Sequence, residues 1–268
     1  MKSIQHFLLF LGTILFIPLH LSGQISYTSA FYPAAGNPGN FNTTQDFENL
    51  GWNTILFPGL STNQWSGDES IPFGFSFYGQ PVSIFKVSAN GVLNFSQTGN
   101  NPPGANTSIP DPAFPDLSIA CFWEEFTTNP PTGSNDFVYT RVFGFPPFRQ
   151  LWIKWSSFEW GIADFAYVAI VLEETTNKIY LVDMYSSTNS VLTSSTVGLQ
   201  ENSSSGVMAG NNIPLGALGP GNADNQYYEF APYNVQPLDV EPVSVIYPGE
   251  IGCGLNQEAI SFSLTNIT

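Results

Sequence analysis

Short strands that alternate aromatic with small residues, cut at close intervals by glycine, proline and asparagine, limit what this chain can fold into. In Ile71-Pro72-Phe73-Gly74-Phe75-Ser76-Phe77-Tyr78-Gly79, Phe73, Phe75 and Phe77 recur at every second position. Successive side chains of a strand point to opposite faces, so these three rings share one face. Val82 to Ser88 and Val92 to Phe95 read as two further strands, with Asn90-Gly91 between them. Both turn residues tolerate positive φ, which makes Asn-Gly between β-formers a hairpin signal.

The pattern continues. Asn100 to Pro115 is a loop rich in Asn, Pro and Gly; Leu117 to Trp123 and Phe137 to Phe143 are strands. In Phe148 to Ser157, Leu151, Ile153 and Trp155 point one way and Gln150, Trp152 and Lys154 the other. Phe165 to Glu173 is continuously apolar, as in a central strand, and Thr175-Thr176-Asn177 turns it into Lys178 to Tyr185. Ser194 to Gln200 and Gln226 to Phe230 complete the set. No segment sustains a helical period. The expected fold is all-β: an antiparallel, jelly-roll-like β-sandwich of roughly 200 residues, long enough to bury a substantial core.

The two ends read differently. Lys2, the apolar run Phe7 to Ile17, Pro18 and Leu21-Ser22-Gly23 have the layout of a secretory signal, with cleavage expected after Gly23. A prolinated stretch from Ala231 to Pro242 marks a boundary. Val243 to Pro248 and Ala259 to Leu264 resemble the first strands of an Ig-like module, which takes about 100 residues. The expected organisation is therefore a signal at 1–23, a sandwich at 24–235, and a linker with the start of a truncated Ig-like domain at 236–268.

Charge narrows the partners. The chain carries 6 Lys+Arg against 21 Asp+Glu, a net charge of -15. Phosphate backbones and anionic lipid surfaces are bound by clustered cations. Scattered ones such as Lys86, Arg141, Arg149, Lys154 and Lys178 argue against nucleic acid and an anionic membrane surface, and no segment after the signal is apolar for long enough to make membrane insertion expected once the signal is cleaved. Cys121 lies in an apolar strand and reads as a buried small hydrophobe; a bridge to Cys253 is the less favoured alternative.

One ordered series carries a resemblance. Phe75-Ser76-Phe77-Tyr78-Gly79, Val87 to Phe95, Ile119-Ala120-Cys121-Phe122-Trp123-Glu124-Glu125, Arg149 to Trp155, and Val168 to Glu174 with Lys178-Ile179-Tyr180 follow one another. The region from about 70 to 200 resembles a β-sandwich module of large secreted Bacteroidota surface proteins, distantly similar in layout to the nidogen extracellular domain. The tail from Glu241 resembles the opening of a CARDB or fibronectin-like module. Glu124-Glu125 stand where relatives commonly have an aspartate pair. The resemblance implies a non-catalytic extracellular adhesion or structural module on or released from the cell surface. It supplies no catalytic residues to carry over. Its expected partner is an extracellular glycan or a surface protein.

The residues themselves agree with that direction. Both histidines, His6 and His20, fall within the signal, so a cleaved chain has no imidazole for a Ser-His-Asp site or a histidine-ligated zinc. The remaining catalytic option is a carboxylate pair drawn from Glu124, Glu125, Glu159, Asp164, Glu173 and Glu174; no catalytic residue is assigned. Sugars pack on aromatic rings while carboxylates and amides take their hydroxyls. Trp65, Trp152 and Trp160, with Glu159, form a candidate carbohydrate platform, the alternative being that Trp152 is buried between layers. No cofactor is expected, with calcium the one candidate to weigh. Asp68-Glu69, Asn135-Asp136 and Asn222-Ala223-Asp224-Asn225 supply oxygen ligands, and Asp68, Glu69, Asp136 and Asp224 are the candidate metal residues. Ordinary Asn/Asp turns account for the same residues without a metal.

Overall fold

A computed structural model of the chain describes residues 24–56, 64–96, 102–126, 136–160, 164–187, 194–216, 219, 221–235, 240–246 and 261–266. The signal at 1–23, Cys253 and the side chain of Trp160 lie outside the described residues.

Gln24–Val235 form one compact unit built from two antiparallel sheets. In chain order its strands are β1 (Ile25–Tyr32), β2 (Asn53–Leu56), β3 (Glu69–Phe77), β4 (Gln80–Val87), β5 (Val92–Asn94), β6 (Ser118–Trp123), β7 (Phe137–Phe143), β8 (Gln150–Trp160), β9 (Asp164–Glu173), β10 (Ile179–Ser186), β11 (Ser195–Asn202), β12 (Ser205–Ile213) and β13 (Gln226–Asn234). A seven-stranded sheet runs β1-β13-β10-β9-β8-β7-β2, and a six-stranded sheet runs β12-β11-β6-β5-β4-β3. The two-sheet antiparallel layering is the one the sequence led us to expect. Within each sheet four consecutive strands, β7 to β10 and β3 to β6, lie side by side, joined by short turns except for the long connection from β5 to β6. Separately, β14 (Val240–Ile246) and β15 (Ser261–Asn266) form an antiparallel pair.

The alternation read from the sequence assigns the faces. Phe73, Phe75 and Phe77 of β3 meet Leu151, Ile153 and Trp155 of β8 and Val168, Ile170 and Leu172 of β9 in the core. Trp155 is fully buried, and its Nε1–H donates to the Ser88 carbonyl at 2.8 Å, joining the two sheets by a hydrogen bond. Cys121 packs in the same core as a free thiol, and Cys253, its less favoured partner, lies outside the described residues. Burial pushes that thiol well above its ordinary value.

The ends of the unit meet. Ile25 pairs with Asn234, and the Val235 N–H donates to the Gln24 carbonyl at 2.7 Å. The registers Ile179 to Phe230, Leu172 to Ile179 and Gln150 to Glu173 put the β7–β8 and β9–β10 turns at this same end. Phe137, Phe165 and Tyr185 lie at the other.

Candidate functional site

An antiparallel sheet that faces water on one side alternates apolar-in with polar-out. The outer face of the seven-stranded sheet departs from that rule. Trp152 of β8, Tyr167 and Val171 of β9, and Tyr180, Val182 and Met184 of β10 form a second apolar cluster there, with Trp52 and Phe143. This face has three zones.

The middle zone is covered by the connection from β1 to β2, Pro33 to Trp52, which contains one 3-10 turn at Pro38–Asn40. Lys154 points up from β8 into this cover and is fully buried. Its ammonium donates to the carbonyls of Glu48 at 2.8 Å and Asp46 at 3.1 Å, and lies 4.3 Å from the centre of the Trp52 ring. Desolvation pulls its pKa down to about 7, against the opposing pull of Asp46 and Glu48. The Asp46 side chain is likewise buried, and Asn225 donates to its Oδ1 at 2.9 Å. Burial, with smaller contributions from Asp224 and Asp183, pushes its carboxyl up to about 7. Asn225 also donates to Asn37 Oδ1 at 2.8 Å, and Asn37 Nδ2 donates to the Asn42 carbonyl at 2.9 Å.

The second zone lies at the end away from the chain termini. Phe165, Tyr167 and Tyr185 form a triangle with ring centroids 5.7 to 6.1 Å apart. Phe137 and Tyr139 of β7 stand 5.6 Å from each other on the same face. Desolvation by burial raises the Tyr167 phenol.

The third zone is the β7–β8 hairpin, Gly144-Phe145-Pro146-Pro147-Phe148-Arg149. Phe145 is 85% exposed and Phe148 59%. Gly144 is left-handed at φ 81°, and a Cβ there would meet the Phe148 carbonyl at 2.6 Å and the Phe41 ring at 3.4 Å. The tip therefore adjoins Phe41, itself 38% exposed. The base is rigid. The Arg149 guanidinium forks onto Glu174 at 2.6 and 2.8 Å, the Glu174 N–H donates to the Arg149 carbonyl at 2.8 Å, and the Thr175 hydroxyl donates to the Pro147 carbonyl at 2.8 Å.

The residues singled out from sequence are dispersed. Trp152 is fully buried, its Nε1–H donating to Gln150 Oε1 at 3.0 Å, so it offers no ring face from outside. Trp65 is half-buried against Val92, Ile109 and Trp123 on the outer face of the other sheet. The three tryptophans do not make one platform, because Trp65 and Trp152 lie on opposite sides of the sandwich. Trp160 and Glu159 end β8 rather than lying in the turn after it, since the β8–β9 pairing runs on to Trp160–Asp164 past a bulge. Asp68 pairs with Lys86 at 3.3 Å. Glu69 opens β3, its carboxyl raised by partial desolvation. Asp136 is buried just before β7, and Asp224 lies beside Asp46. Among the described residues, no group of three or more His, Cys, Asp or Glu side chains is arranged to hold a metal ion. Of the candidate carboxylate pairs, Glu173 accepts from Gln150, Thr176 and Tyr180, Glu174 holds Arg149, and Glu124 accepts from Ser194. Phe145 and Phe148 had a local signal that went unused: a Gly-Phe-Pro-Pro-Phe run between two strands is turn chemistry with nowhere to bury its rings.

Fold and face together define a two-layer antiparallel β-sandwich with a partly covered outer face. The model of the family described as NIDO related matches residues 32–232, and the chain belongs to that family. No curated protein and no solved structure matches the chain.

Proposed function

We propose that this is a non-catalytic extracellular adhesion module whose contact surface is the Phe145–Phe148 hairpin tip with Phe41. The observation that carries the reading is the pair of exposed rings on a braced hairpin. A scattered exposed ring needs no explanation, whereas neighbouring ones rimmed by polar groups mark contact surfaces. Rings held on a rigid base lose little freedom on binding, which favours affinity. The acidic charge turns the partner choice away from nucleic acid and anionic lipid. The test is adhesion of the chain to arrayed extracellular proteins and surface glycans. Phe145→Ser with Phe148→Ser should weaken the recognised contact by at least about tenfold, in line with aromatic hot spots. Undiminished binding by the double variant would remove this surface from consideration.

A carbohydrate ligand is the second reading, favoured by the Tyr139, Tyr167, Phe165 and Tyr185 group, which combines ring faces with hydroxyls. It predicts that Tyr139→Ala and Tyr185→Ala abolish binding to one glycan class on an array while the hairpin variants retain it. Glycan binding indifferent to both tyrosines would end it.

A further inference from the structure

Five buried polar atoms without a hydrogen-bond partner gather in the cover over Lys154 and the residue it leans on: Asn42 Nδ2, Asp46 Oδ2, Asn49 Oδ1, Trp52 Nε1 and Asn225 Oδ1. Such atoms are rare in folded proteins, because each gives up hydration without return. Two of them belong to one contact. Asn225 Nδ2 donates to Asp46 Oδ1 at 2.9 Å, so Asp46 Oδ2 and Asn225 Oδ1 are the other ends of the two planar groups that share this bond. Both residues are fully buried. A buried carboxylate requires a counter-charge. Lys154 supplies it only in part: its charge favours the Asp46 carboxylate, but its ammonium is held by the backbone carbonyls of Asp46 and Glu48, and among the described residues it forms no ion pair. Asp224 adds negative charge nearby.

We infer that Asp46 and Asn225 form the core of a calcium site, with Asp46 Oδ2 and Asn225 Oδ1 as ligands and Asn49 Oδ1 as a third oxygen from the same loop. The donors are carboxylate and amide oxygens without sulfur or imidazole, which selects a hard cation. Calcium accepts irregular sets of side-chain and carbonyl oxygens from loops, whereas magnesium keeps its waters and demands a regular octahedron. The ion would join the β1–β2 connection to the start of β13, elements that approach each other only in the folded sandwich. The sequence pointed at half of this site through Asn222 to Asn225. It gave no sign that Asp46, far away in the chain, is the partner.

The test is thermal melting and calorimetric titration of the full chain with calcium chloride after EDTA treatment, with magnesium as the control. A millimolar excess over a dissociation constant of about 10 μM should raise the melting temperature by roughly 5 °C, with one ion bound per chain. In EDTA, Asp46→Asn should melt at or above the unsubstituted chain, because it removes a buried charge, and it should lose the calcium response. Asn225→Ala should lose the response as well. Absence of heat and of any melting shift in the unsubstituted chain up to 10 mM calcium, a concentration of about a thousand times that constant, would overturn the proposal. So would an equal calcium shift in Asp46→Asn.

Discussion

Trp155→Ala is expected to cost the sandwich about 3–5 kcal/mol, the range for removing a buried aromatic. For a unit of this size that lowers the melting temperature by roughly 8–15 °C. The ring is fully enclosed between the two sheets, and its indole N–H is the donor for Ser88 at the end of β4. Truncation therefore removes a large apolar surface and also leaves a buried carbonyl unpaired. Trp155→Phe keeps most of the surface and loses only the bond, so its cost should be about 1–2 kcal/mol. Denaturant melts of the two variants separate these contributions. A Trp155→Ala protein that melts within about 3 °C of the parent would contradict the placement of this ring at the centre of the core.

Gly91→Ala is the second large effect. Gly91 turns the β4–β5 hairpin at φ 80°, and its carbonyl accepts from the Cys121 N–H at 2.8 Å. A Cβ at this position would lie 2.6 Å from the Cys121 carbonyl oxygen. That atom belongs to the buried backbone of β6, a strand held between β5 and β11, so it can yield only if the strand shifts. Left-handed strain together with this clash should cost about 2–4 kcal/mol. Gly74→Ala is the matched control. A Cβ there meets nothing within 4 Å, and the position is on the exposed face of β3, so its effect should stay within about 0.5 kcal/mol. Similar losses for the two substitutions would mean that the close approach at Gly91 is not what the fold depends on.

Both positions were legible in the sequence in kind, and neither in consequence. Asn90-Gly91 announced a turn, and the alternation in Leu151, Ile153 and Trp155 announced a buried face. That the turn would press on β6, some thirty residues later in the chain, follows from pairing between strands. The same limit explains the strands that composition did not reveal. β1, β2 and β12 lack a clean alternation and all lie at sheet edges, a position that permits the lapse without requiring it, since the edge strand β3 alternates cleanly. Edge strands are held by backbone hydrogen bonds to one neighbour more than by a buried row of side chains.

What the sequence determined by itself is local: the period of two, the turn chemistry, the acidic balance, and from these an antiparallel sandwich. These follow from residue type and spacing over a few positions. What only the tertiary structure decided is which faces are covered. Trp152 and Lys154 alternate away from the core and would be solvent-facing on an isolated sheet, yet both are buried because Pro33 to Trp52 folds back over them. Phe145 and Phe148 are as apolar as any core ring, yet stand exposed at the tip of the β7–β8 hairpin. Asp46 and Asn225 become neighbours only when a loop near the start of the chain meets the strand that closes the sheet. Burial is a property of the assembled layers, and the free energy that sets it acts between segments distant in sequence.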